Sequence, residues 1–209
     1  IADDAEGQFF ANTGTLNADE IIVGNEGDAY FETDAADIDT QTLRIGGSPD
    51  HAAFLAMSGG TLHADLIEVS DAGSNGSITE QFFLREGLLV SQEMRIGPGA
   101  YARLGFGFSF DARIGDVIND GDVRFSGTSS ILSGPVVFGN VRLLGRFENN
   151  GTLRFSPFTD NEDAFAMNLV NNGEIEVFID DAAVVGGSII NGPAGRIAVS
   201  RNFVSDTGL

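Results

Sequence analysis

The sequence of 209 residues contains no cysteine, no tryptophan and only five prolines. Without cysteine the chain has no disulfide, no thiolate nucleophile and no cysteine-ligated zinc site. Lysine is absent as well, so all 11 basic residues are arginines, set against 31 acidic residues and a net charge of −20. Such a charge repels nucleic acid and anionic lipid, because both are bound through a basic surface. We therefore expect no nucleic-acid partner.

Long apolar runs are also missing. No stretch of 18 apolar residues occurs, so the sequence predicts no insertion into a membrane. The opening residues IADDAEGQFF lack the basic and apolar segments of a signal peptide, and they are those expected of a mature, secreted chain. What the chain has instead is 28 glycines and 17 phenylalanines, with several Asn-Gly pairs. This composition favours short strands joined by turns over helices.

The sequence repeats itself. FENNGTLRFS begins at Phe147, and LVNNGEIEVF begins at Leu169, 22 residues later (169 − 147). IINGPAGRIAVS from Ile189 is a third copy, and Gly-Thr-Leu recurs at Gly14, Gly60 and Gly151. A minimum spacing with longer intervals between some copies is what insertions into surface turns produce. Apolar positions before a turn continue the series at Val23, Ile45, Val69, Ile96, Phe125, Phe155, Val177 and Val199.

Alternation within each repeat indicates strands with one buried face. Ile175 and Val177 alternate with Glu174 and Glu176, for example. A coil of this length suits three short strands with three turns, and strands stacked coil upon coil would bury a narrow core. The sequence therefore predicts an all-β, single-domain parallel β-helix over residues 1–209, with about eight coils and right-handed winding. The repeats are clearest over 14–100 and 147–200.

The Asn-Asn-Gly segments are predicted corners of this helix. Asparagine and glycine tolerate left-handed backbone conformations, and stacked asparagine side chains can hydrogen-bond from one layer to the next. The alternative fold is an antiparallel β-sandwich, which also has many short strands and turns. A sandwich gives no reason for a recurring interval of 22 residues.

The Gly-Thr-Leu…Ile/Val-Gly and Asn-x-Gly-x-Ile-x-Val repeats resemble those of β-helical passenger domains of bacterial autotransporters and of repeat-built secreted surface proteins. The likeness covers residues 14 to 200. It implies export to the cell surface or the medium, and a role in adhesion or in forming a matrix or appendage.

Catalytic patterns are weak in this sequence. Polygalacturonase-like β-helix enzymes resemble one another through four short motifs, of which Asp180-Asp181 and Arg196-Ile197 match two in part, while Gly-His-Gly is missing. A lyase-like arrangement of Arg124 beside acidic residues is a further partial match. The two histidines, His51 and His63, belong to no nucleophile or zinc motif and are expected at the surface. We expect no enzyme activity.

Calcium is the one cation that the acidic turns favour. NDGD and DNED each gather several oxygen donors on a turn, and calcium prefers such hard donors. An acidic, solvated turn is the alternative for both segments. The candidate calcium ligands are Asp120, Asp122, Asp160, Glu162 and Asp163.

These features together predict a non-enzymatic structural or adhesive protein, outside the cell or on its surface. The end coils of a solenoid expose unpaired backbone and core side chains, which end-to-end stacking into a homo-oligomer or filament would cover. Continuation of the solenoid in a longer protein would cover them too. The alternative function is binding or cleavage of carbohydrate along one side of the helix, with surface glycans as the partners.

Overall fold

A computed structural model describes residues 7–24, 27–47, 50–70, 81–104, 110–126, 130–131, 140–143, 145–156, 163–166, 168–177, 183–186, 188–199 and 203–205. These residues form twenty β-strands and no helix. The strands are β1 (Gly7–Ala11), β2 (Gly14–Val23), β3 (Ala29–Thr33), β4 (Ala36–Ile45), β5 (Ala53–Val69), β6 (Phe82–Ile96), β7 (Tyr101–Leu104), β8 (Phe110–Asn119), β9 (Asp122–Ser126), β10 (Ser130–Ile131), β11 (Asn140–Leu143), β12 (Arg146–Asn149), β13 (Thr152–Ser156), β14 (Asp163–Ala166), β15 (Asn168–Asn171), β16 (Glu174–Val177), β17 (Ala183–Gly186), β18 (Ile189–Asn191), β19 (Arg196–Val199) and β20 (Phe203–Ser205).

Every pairing among the described strands is parallel, and the strands stack in three ladders. Ladder A runs β1, β3, the start of β5, the start of β6, β7, β9, β13, β16 and β19. Ladder C runs through the second halves of β2, β4, β5, β6 and β8, and then β12, β15 and β18. Ladder B joins the first halves of β2, β4 and β8 and the middle parts of β5 and β6 to β11, β10, β14, β17 and β20.

This topology confirms the parallel β-helix and rules out the antiparallel sandwich. In the earlier coils one bent strand supplies ladders B and C together, as β2, β4 and β8 do, and β5 and β6 include ladder A as well. In the later coils ladders B and C have separate strands, such as β14 and β15. The bend is visible in the register, where Ala18 pairs with Thr40 and Glu20 with Thr42 while the residues between them leave the ladder. The coil number differs slightly from the predicted eight, since ladder A has nine strands.

The difference arises because the apolar series taken from the sequence combines two ladders. Val23 and Ile96 belong to ladder C, whose next residue after Ile96 is Asn119. Phe125 belongs to ladder A, where it pairs with Leu104. The step from Ile96 to Phe125 therefore passes over one layer. The Gly-Thr-Leu motif is divided in the same way, since the copy at Gly151 starts a ladder A strand whereas those at Gly14 and Gly60 lie in ladder B. Both strand types alternate and end at a turn, so they look alike in sequence.

The core is a narrow column of apolar side chains between the ladders. In ladder A the central inward position is Phe9 in the first layer and Ile197 in the last. Between them the same position is 0 to 3% exposed in every layer, at Phe31, Leu55, Phe82, Ala102, Val123, Leu153 and Ile175. Burial of apolar surface stabilises a fold by about 25 cal/mol for each Å², and the burial in this column is the main stabilising contribution.

Candidate functional site

A column of asparagine amides lies at the corner between ladders C and A. Asn119, Asn149 and Asn171 are completely buried, and each donates its Nδ2 to the Oδ1 of the next asparagine at 2.7 Å, ending at the exposed Asn191. Each Nδ2 also donates to a backbone carbonyl of the ladder A strand one layer further on, as in the 3.1 Å bond from Asn149 to Glu174. The predicted stacking of the Asn-Gly corners is thereby confirmed.

A glycine comes two residues after each buried asparagine of the column, because the backbone there lies close to the preceding layer. A side chain at Gly173 would collide with the carbonyl oxygen of Gly151, and one at Gly151 with that of Gly121. The amide of Gly173 in turn donates to the carbonyl oxygen of Asn149 at 3.0 Å. The Asn-x-Gly pattern is thus favoured by two separate contacts, one through the buried amide side chain and one through the missing Cβ.

Two of the candidate calcium ligands lie at the outside of this corner. Asp120 is exposed and accepts a hydrogen bond from Nδ2 of Asn150 at 2.9 Å. Asp122 forms an ion pair with Arg154, and its buried Oδ1 has no hydrogen-bond partner among the described residues. Arg154 also pairs with Glu176 at 2.6 Å, so it links carboxylates from two layers.

The other three candidates belong to the DNED segment. Asp163 begins β14, opposite Ala183, and Asp160 and Glu162 lie outside the described residues. Over the described part of the chain, no three His, Cys, Asp or Glu side chains are grouped as metal ligands would be. The calcium site remains a prediction.

The two histidines considered for catalysis lie apart from each other. His51 faces Asp28 at 3.7 Å, and His63 faces Asp39 at 3.4 Å in a separate ladder. Arg196 is exposed on β19 at 4.0 Å from Glu174, while Asp180 and Asp181 fall outside the described residues.

Two features of ladder A are not evident from the sequence repeat. On its outer face Tyr30 stacks on Phe54 with ring centroids 5.0 Å apart, and Phe10 packs on Tyr30 at 5.8 Å. Burial raises the pKa of Tyr30, and the hydrogen bond from its hydroxyl to Oε2 of Glu32 raises it further. The second feature is a row of three arginines in successive layers, Arg103, Arg124 and Arg154. Only the register between distant strands reveals either arrangement.

The two ends of the solenoid expose apolar side chains. Phe9 stacks on Phe31 at 5.1 Å and is 38% exposed, although it occupies the buried position of ladder A. Phe10 is 54% exposed, and Ile190 on β18 is 61% exposed. These three are the exposed large hydrophobic residues of the described chain, and all lie in the first or last strand of a ladder.

No protein-family model, curated protein or solved structure matches this chain. Nor does the described part of the chain contain a helix that could cross a membrane.

Proposed function

We propose that this protein is a non-enzymatic structural or adhesive component of an extracellular or cell-surface layer, and that copies of it assemble end to end. The observation that carries the proposal is the inward column of ladder A. Its seven middle positions are at most 3% exposed, whereas Phe9 at one end is 38% exposed. Apolar side chains that belong to a core but meet water favour association.

The backbone supports the same proposal. Within the described residues β1 pairs with β3 alone, and β19 pairs with β16 alone. Among the described strands, each of these two therefore has one edge without a partner strand. An open edge of this kind is a template for β-pairing unless bulges, charges or a covering segment protect it. A second copy that pairs with it extends the ladder with no new architecture.

The proposal of an extracellular location is supported by the resemblance to secreted β-helical proteins. A surface with net charge −20 stays hydrated and keeps the long sides of neighbouring rods apart. Association is then directed to the ends, where the apolar side chains are. The resemblance adds the expectation that the assembled rod acts in adhesion or in a matrix.

The purified chain should be studied by light scattering and negative-stain electron microscopy over a range of concentrations, with and without calcium. We expect particles that lengthen with concentration at constant width. Phe10→Asp should shorten them, while the matched control Val90→Asp, which adds the same charge on the side of the solenoid, should leave their length unchanged. A chain that stays monomeric at the highest concentration, in both conditions, would contradict the proposal.

Carbohydrate binding is a second candidate, favoured by the outer face of ladder A. The guanidinium of Arg103 lies 5.4 Å from the centre of the Phe83 ring, and Arg124 and Arg154 continue the row. Aromatic rings beside arginines suit a saccharide that carries carboxylate groups. Calorimetric titration with neutral and acidic oligosaccharides tests this candidate, with Arg103→Gln expected to weaken binding. Heat absent from the whole panel would oppose it.

A further inference from the structure

We infer that the assembly is head to tail, with β19 of one copy pairing in parallel with β1 of the next. This inference rests on the proposed end-to-end assembly and adds the partner strand, the register and the polarity. It predicts a filament in which the strand direction of ladder A never reverses. A heterologous contact of this type repeats without closing, and so produces fibres.

The register follows from the ladder itself. The central inward row begins at Phe9 and ends at Ile197, so continuing it places Phe9 of the next copy on Ile197. The outer row that contains Phe10 ends at Ala198. A small side chain at Ala198 leaves space for the ring of Phe10, and the third pair places Gln8 beside Arg196.

The two ends also differ in charge. In the first layer, the described residues 7–24 contain two acidic residues and no arginine, a net charge of −2. In the last layer, the described residues 188–199 and 203–205 contain one arginine and no acidic residue, a net charge of +1. These residues supply β1 and β2 at one end and β18 to β20 at the other. Opposite charges favour contact between unlike ends, while two acidic ends repel each other.

Other arrangements satisfy fewer of these observations. A head-to-head contact would join two first layers whose described residues each carry a net charge of −2, and it would set the β1 edges of the two copies antiparallel. The exposed phenylalanines would be covered, but the apolar residues of the last layer would stay in water. Only the head-to-tail contact covers both ends and keeps the parallel pairing of the solenoid.

Disulfide trapping tests the register without background, because the chain has no cysteine. Directly opposed residues of parallel strands lie about 4.8 Å apart, within the range of about 4.4–6.8 Å between the Cα atoms of a disulfide. Gln8→Cys and Arg196→Cys variants should be mixed under mild oxidation, and the cross-linked peptides identified by mass spectrometry. We expect the mixed disulfide between the two variants to predominate.

The control mixture combines Gln8→Cys with Glu174→Cys, which lies in the same outer row one layer further from the end. It should not cross-link, since about 10 Å then separates the two Cα atoms. Assembly accompanied by Gln8→Cys homodimers, or by no cross-link at all, would overturn the head-to-tail register and leave the proposed assembly standing. If the wild-type chain itself stays monomeric, both proposals are wrong.

Discussion

Replacing Asn149 by alanine tests how much the buried amide column contributes to stability. Asn149 is fully buried and takes part in three hydrogen bonds, with Asn119, Asn171 and the carbonyl oxygen of Glu174. Alanine removes all three and leaves their partners without water to replace the lost bond. A buried polar group left unsatisfied costs about 1–3 kcal/mol. Partial relaxation of the corner lowers the sum, so we expect a loss of about 3–5 kcal/mol in the free energy of unfolding.

Asn150→Ala is the matched control for this experiment. Asn150 is the next residue, has the same side chain and forms layer-to-layer bonds of similar length with Asp120 and Asn172, but it is exposed. Because water replaces those bonds, its loss should cost only about 0.5 kcal/mol. Urea unfolding followed by circular dichroism measures both variants. Equal midpoints for the two would refute the reasoning that burial, and not the mere presence of an amide ladder, gives these bonds their value.

Two further predictions concern a glycine at the asparagine corner and a tyrosine on the outer face of ladder A. Gly173→Ala should destabilise the protein by more than about 2 kcal/mol, because the new Cβ meets the carbonyl oxygen of Gly151, while Gly97→Ala, whose Cβ has ordinary contacts only, should change the urea midpoint little. Glu32→Ala should lower the pKa of Tyr30, measured from phenolate absorbance in a Tyr101→Phe background. The raised pKa contributes stability that is present below the ordinary tyrosine pKa and is lost as pH rises through the pKa of the folded protein. An unchanged titration would show that Glu32 has no effect.

Much of the architecture is predictable from the sequence because strand alternation and coil length are local properties. Apolar residues at every second position indicate a strand with one buried face, and a repeat of 22 residues indicates stacked coils. Asn-Gly at Asn149 to Gly151 and again at Asn171 to Gly173 indicates the corner and its stacked amides. These inferences need no knowledge of which strands touch.

The tertiary structure decides which side of the coil a strand occupies and which side chains face each other. Phe125 continues the ladder of Leu104 and not that of Ile96, since each side of the coil repeats the same alternation and ends at a similar turn. The link of Arg154 to Asp122 and Glu176 joins residues from three coils. Phe9 is likewise exposed because it lies in the first layer of the stack. Its neighbours along the strand do not distinguish it from a buried core residue. Sequence alone therefore determines the repeating coil, and stacking determines what the coil presents at its faces and ends.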